Sequence, residues 1–228
     1  MPEKPTRKQL AAMIDHTCLK AYASQEMIEQ LCKEADELGC AMVAINSAQT
    51  KLCAELLKDS KVHVGAAISF PLGQTPLEVK LFETKTAIED GADEIDYVVN
   101  LSNVKNKKWD DVEEEMKQIT KLCHDHDVIC KVIFENCYLD ADEIRKLSEI
   151  ALKVRPDFIK TSTGFGTGGA KAEDVALMKS VVQDAVQVKA AGGIRSYEDA
   201  LAMIEAGATR LGTSAAIAIL GGCDETAD

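Results

Sequence analysis

Two kinds of apolar pattern alternate along the chain. In one, apolar residues return every three or four positions; in the other, short runs are apolar almost without interruption. The first predicts helices with one buried stripe, and the second predicts strands covered on both faces. Residues 24–38 (SQEMIEQLCKEADEL) have helical spacing and stop at Gly39, after which AMVAIN reads as strand. Residues 76–90 stop at Gly91 before EIDYVVN, and residues 196–206 stop at Gly207 before TRLGTS. A glycine in these places closes a helix through a left-handed turn. Further helices are expected at 109–126, 140–154, 173–184 and, briefly, 214–220. Asp140 with Glu143, and Ser196 with Asp199, have the spacing of capping boxes.

The apolar runs place strands at 12–16, 42–46, 62–68, 94–100, 128–134, 157–161, 186–190 and 209–213. Eight strands separated by helices fit a closed parallel barrel, which leaves no sheet edge exposed. An open doubly wound sheet is the rival, although its early glycine fingerprint after the first strand is missing. No composition break marks a boundary, so residues 1–228 read as one domain with a loose polar tail at 221–228.

Composition narrows the setting. Of the 228 residues 46% are apolar but only 4% aromatic, so the core is aliphatic. A formal charge of −12 argues against a nucleic-acid partner, because such affinity comes from clustered Lys and Arg. No segment has the roughly 20 apolar residues needed to cross a bilayer, and MPEKPTRKQ is no secretory leader. The eight cysteines, among them Cys32, Cys53, Cys123 and Cys130, read as reduced thiols of a cytoplasmic protein.

Three strands carry a lysine inside an apolar run: Lys131 in CKVIF, Lys160 in DFIKTS and Lys189 in VQVKAAGG. A core-strand lysine must desolvate its head unless it deprotonates or finds partners. Snorkelling at a rim is the bland reading, and it fits three such lysines on successive strands poorly. If Lys160 and Lys189 both point into the barrel, mutual repulsion and burial favour a neutral amine. Such an amine can attack a carbonyl and form a Schiff base. Asp96 in EIDYVVN and Asp15 in MIDHTCLK are candidate proton carriers, or else strand-end ion-pair partners.

A phosphate is expected at the glycine-bearing ends of strands seven and eight, Gly192-Gly193-Ile194-Arg195 and Gly212-Thr213-Ser214. Each precedes a helix whose free N–H groups suit an anion, and Thr163 with Gly164 can line the same cavity.

These stretches resemble the deoxyribose-phosphate aldolases, Schiff-base enzymes with a (β/α)8 TIM-barrel fold. The likeness runs through IDHTCLK, SFPLG, GADEIDYVVN, KVIFENC, DFIKTSTGF, GGAKAEDVALM, VKAAGGIR and AGATRLGTS, in order, from about residue 12 to 216. The resemblance implies reversible cleavage of 2-deoxy-D-ribose 5-phosphate to D-glyceraldehyde 3-phosphate and acetaldehyde, with no metal or organic cofactor. It makes Lys160 the Schiff-base lysine, Lys189 its companion and Asp96 a proton carrier. It assigns Gly192, Gly193, Arg195, Gly212 and Ser214 to the phosphate region, mostly through backbone amides, and Thr163 and Gly164 to the end of that pocket. Asp15 and Thr17 are expected near the substrate hydroxyls, and Lys131 in a supporting position. Ala44, Ser47 and Ala215 depart from the family pattern, which commonly has cysteine, proline and serine there. The C-terminal tyrosine of some members has no counterpart here.

Other readings stay open. A different Schiff-base lyase would share the lysines, and a non-catalytic phosphosugar-binding barrel would share only the glycine loops. A metal aldolase would have to use His124 and His126, which read instead as a polar helix end. A homodimer is expected from the frequency of such assemblies.

Overall fold

Thr6 decides where the first strand can begin. Its side chain accepts the N–H of Gln9, while Gln9 Oε1 accepts the N–H of Thr6 at 2.8 Å. This capping box starts helix α1, Arg7–Ala11, so the strand expected at 12–16 starts two residues late, as β1, Ile14–Cys18. The structure is a computed structural model and describes residues 4–223. The remaining strands are β2 (Met42–Asn46), β3 (His63–Ile68), β4 (Glu94–Val98), β5 (Ile129–Ile133), β6 (Phe158–Lys160), β7 (Gln187–Ala191) and β8 (Arg210–Thr213). They pair in parallel in chain order, and β8 closes onto β1, so the fold is a (β/α)8 TIM barrel.

Around the barrel stand α2 (Gln25–Leu38), α3 (Thr50–Leu56), α4 (Leu77–Glu89), α5 (Leu101–Lys105), α6 (Trp109–His124), α7 (Ala141–Val154), α8 (Ala172–Val182), α9 (Tyr197–Glu205) and α10 (Ala216–Gly221). The capping boxes at Asp140 and Ser196 form as their spacing predicts. Gly39 ends α2 at a φ of 70°. Two of these helices have no periodic signal. Only Thr50 and Cys53 of α3 are buried, and only Val104 of α5, which is too little for a stripe. Asn100 caps α5, which is why β4 stops at Val98 short of residue 100. The polar tail starts later than expected: Gly221 ends α10 and Cys223 is buried, while 224–228 lie outside the described residues.

The period of two divides each strand between two environments. Ile95 and Tyr97 of β4, Ile159 of β6 and Val188 of β7 belong to the core between sheet and helices. Leu147 and Ala151 of α7 and Val175 and Met178 of α8 meet them from the outer layer. Their alternates, Asp96, Lys160 and Lys189, are buried inside the barrel. There the apolar filling is thin and includes Met42, Ala44, Ala67 and Phe158.

Gly65 makes room for that filling: a Cβ there would lie 2.1 Å from Met42 Sδ. The same sulfur accepts from Lys131 Nζ at 3.3 Å, so Met42 cannot swing away without disturbing a buried ammonium. Gly65→Ala is therefore expected to cost about 1–3 kcal/mol by overpacking. Shortening Met42 in that background should recover part of the loss, as a double-mutant cycle in urea would show.

Candidate active site

The strands carry their charges to a common axis. Lys131, on β5, lies in register with Asp96 on β4, and Lys160 on β6 lies in register with Lys189 on β7. Asp96 joins all three lysines. Its Oδ1 accepts from Lys131 Nζ at 2.6 Å, and its Oδ2 accepts from Lys160 Nζ at 2.8 Å and Lys189 Nζ at 2.6 Å. Lys189 also meets Asp15, whose other oxygen accepts from Arg210 Nε at 3.0 Å. Lys131 pairs with Glu94 at 2.5 Å, and Glu94 takes both 2.6 and 2.7 Å bonds from one guanidinium nitrogen of Arg210. His63, half exposed at the N-terminal end of the barrel, bonds to Glu94 at 2.8 Å.

Four cationic side chains thus face three carboxylates in this cluster. Burial alone would raise the Asp96 carboxyl, but the charges of Lys131, Lys160 and Lys189 hold it well below the usual range. Glu94 follows the same logic: burial opposes its charge, and Lys131, His63 and Arg210 outweigh burial. Burial pushes Lys131 down, yet Asp96, Glu94 and Asp15 together raise it. Lys160 goes the other way. Burial pushes its ammonium down to about 8; Asp96 resists, and the charges of Lys189 and Lys131 reinforce the fall.

Above this cluster the C-terminal mouth opens into a cavity of about 680 Å³. Lys160 reaches it, whereas Lys189, Asp96, Lys131 and Asp15 are buried out of reach of it. Sequence reasoning expected Asp15 near the substrate; its side chain instead faces Lys189 and Arg210. Thr17, on the same face of β1 one step higher, does line the cavity and donates its hydroxyl to the Asp15 carbonyl at 2.9 Å.

The residues expected at the phosphate, Gly192, Gly193, Arg195, Gly212 and Ser214, all line this cavity. Gly192 and Gly193 take left-handed φ of 84° and 81°, a turn that a side chain would strain. Thr163 and Gly164 stand beside them. Two backbone amides of these loops are already occupied. Asp199 Oδ2 accepts the N–H of Arg195 at 2.9 Å, leaving its exposed guanidinium for a ligand, and Thr213 Oγ1 accepts the N–H of Ala215 at 2.9 Å. Gly212 also serves the lysine, since a Cβ there would come within 3.2 Å of Lys189 Cε.

At the departures from the family pattern, Ala44 is buried inside the barrel, and Ser47 donates to Glu83 Oε1 at 2.7 Å. Glu83 Oε2 in turn accepts the N–H of Ser69 at 2.9 Å. At the end of α6, His124 bonds to Asp157 at 2.9 Å and His126 to the Leu122 carbonyl at 2.9 Å.

Sequence reasoning passed over Glu94, Arg210 and Glu135. The alternation that singles out Asp96 puts Glu94 two residues earlier on the same face, and Arg210 two before Gly212. Each stands at the first position of its strand, where a charge reads as a solvated end.

Residues 9–221 match the family described as DeoC/LacD family aldolase. The deoxyribose-phosphate aldolase of Lactobacillus acidophilus is 55% identical over 216 residues, spanning 95% of this chain and 91% of that protein. That of Thermococcus gammatolerans is 50% identical over 215 residues, spanning 93% and 96%. Among solved structures, the aldolase QR15 matches with a TM-score of 0.88 at 42% identity, covering 93% of this chain and 94% of its own. Deoxyribose phosphate aldolase from Aeropyrum pernix, described as a unique tetramer, matches with 0.89 at 35% identity, covering 95% and 91%. With the lysine cluster seated below a cavity of this kind, the chain belongs to the DeoC/LacD family of aldolases.

Proposed function

We propose that the chain reversibly cleaves 2-deoxy-D-ribose 5-phosphate to D-glyceraldehyde 3-phosphate and acetaldehyde through an imine on Lys160. One observation carries the assignment of the amine. Of the three interior lysines, only Lys160 opens onto the cavity, and burial drives its ammonium toward neutrality. With its ammonium lowered to about 8, roughly a tenth of the amine is free at pH 7, against under a thousandth for an ordinary lysine.

The free amine attacks the open-chain aldehyde at C1, and loss of water gives a cationic imine. Removing the C3 hydroxyl proton lets the C2–C3 bond break. Its electron pair moves into an enamine on Lys160, and C3 leaves as the aldehyde of the triose phosphate. Protonation at C2 and hydrolysis release acetaldehyde. Asp96, bonded to the reacting amine, is the group placed to carry protons to and from it, and Lys189 keeps Asp96 ionised. The Gly192–Gly193 turn, Ser214 and the Arg195 guanidinium hold the phosphate, so binding energy far from the reacting carbon fixes its position.

A homodimer is the assembly we propose. The thiols of Cys32, Cys53, Cys123 and Cys130 are unpaired, which favours a reducing, cytoplasmic setting.

Borohydride added during turnover should fix the donor fragment on Lys160, as peptide mass spectrometry would show. Lys160→Ala should abolish both the adduct and cleavage. A modified residue elsewhere would falsify the assignment. The trapping rate should rise with pH through about 8 and then level, because the neutral amine is the nucleophile. Lys189→Met removes a cation and frees Asp96 to hold the Lys160 charge, so the inflection should move to higher pH.

The same shift has a cost in stability. Lys160 sits near 8 when folded against an ordinary 10.5, so between these pH values the unfolded chain binds more protons. Stability therefore rises with pH across that window, and below it the full penalty, on the order of 3 kcal/mol, applies. Lys160→Met should be more stable than the parent at pH 7, by up to about that amount. The gain should fade toward pH 10–11 in denaturant titrations.

A further inference from the structure

We propose that Glu135 is a positioning residue for the phosphate end of the cavity, acting through Thr163; the proposal rests on the reading of that cavity given above. Glu135 stands two residues past the end of β5, is buried, and has a left-handed φ of 57° before the turn Asn136–Tyr138. Its carboxylate reaches the loop after β6. Oε1 accepts the N–H of Thr163 at 3.1 Å, and Oε2 accepts the Thr163 hydroxyl.

The Thr163 hydroxyl has a single proton, which is committed to Glu135. It then accepts the N–H of Phe165 at 3.0 Å. One carboxylate therefore sets the side chain of Thr163 and, through it, the turn at Gly164 between the two bonds. Gly164 lines the cavity at a φ of 86°, with Gly192 of the facing loop nearby. The loop also folds over the carboxylate itself. A Cβ on Gly166 would stand 3.2 Å from Glu135 Cδ and 2.6 Å from Cys137 Sγ. The far end of the loop is latched separately, by the Ala170 N–H bonded to the carbonyls of Ala191 at 3.0 Å and Gly192 at 2.9 Å.

The chemistry asks for a carboxylate here. Two donors converge on one side chain, and the two oxygens of a carboxylate offer an acceptor to each. Glutamine fills the same space but turns an NH2 group toward one of the donors. Glu135→Gln thus loosens the wall around Gly164 without opening a cavity, and it touches neither Lys160 nor Asp96.

The test compares KM and kcat for 2-deoxy-D-ribose 5-phosphate and for unphosphorylated 2-deoxy-D-ribose, together with borohydride trapping of acetaldehyde on Lys160. For Glu135→Gln, KM for the phosphorylated sugar should rise about tenfold, and the advantage of that sugar over the unphosphorylated one should shrink by about the same factor. The trapping rate and its pH inflection should not move. Thr163→Val should repeat the Glu135→Gln effect, and the double variant should be no worse than either single one. An unchanged preference for the phosphorylated sugar in Glu135→Gln would overturn the proposal. A parallel fall in acetaldehyde trapping would overturn it too, since Glu135 would then act on the chemistry or on the fold at large. Failure of the parent enzyme to cleave the phosphorylated sugar would count against the proposed function, and is read from a different arm of the experiment.

Discussion

The carboxylate of Asp96 accepts from three lysines at once, and the interior of the barrel is arranged around that sharing. A buried charge is costly unless paired, and a buried pair often contributes less stability than apolar residues of the same volume. Seven ionisable side chains inside one small barrel therefore make little sense as a device for stability. The fold rests on its outer layer, where the alternate residues of the same strands meet the helices. That division frees the interior for charge. Lys131 and Arg210 belong to the charge balance as much as Lys160 does: Arg210 pairs with Glu94 and Asp15, and Lys131 joins Glu94 to Asp96.

Glycine in the loops has more than one task. The run GFGTGG after β6 invites reading as an anion cradle, and Gly164 fits that reading. Gly169 does something else: a Cβ there would lie 2.2 Å from the Gly192 carbonyl oxygen, so the two loops touch backbone to backbone. Gly166 yields space to Cys137 and Glu135. Only part of the run faces the cavity, and the rest holds that part in place. Asp199 shows the same economy, because the carboxylate that caps α9 also takes the Arg195 amide and so withholds it from an anion.

Which features were legible in the sequence follows from the range of the forces involved. The strands could be read because burial on both faces writes a local signature, and Lys131, Lys160 and Lys189 stood out against it. The shift of β1 escaped notice because it depends on Thr6 and Gln9, polar residues outside any apolar pattern. Helices α3 and α5 bury too few side chains to leave a period. Arg210 and Asp15 meet across 195 positions of chain, and Glu94 lies 116 positions from Arg210, so no local pattern could pair them. Lys160 and the glycine turns that line the cavity were visible as oddities; the residues that tune and support them looked ordinary. That asymmetry is what closure of a barrel produces, since it brings together side chains that have no sequence relation to one another.

The charge cluster also bears on whether such a cavity serves binding alone. A pocket that only holds a phosphosugar needs its glycine turns, its hydroxyls and a cation at the rim, all of which line the cavity here. Nothing in that task calls for Lys189, Asp96, Lys131 or Glu94, which are buried beneath the cavity and do not line it. An aliphatic filling would seal the barrel floor at lower cost. The buried charges gain a purpose only if they act on the one group that does reach the ligand. They hold a carboxylate ionised against the Lys160 amine while desolvation and two neighbouring cations weaken that amine's hold on its proton. Nucleophile and proton acceptor are thereby available together near neutral pH, which turnover requires and mere retention of a ligand does not.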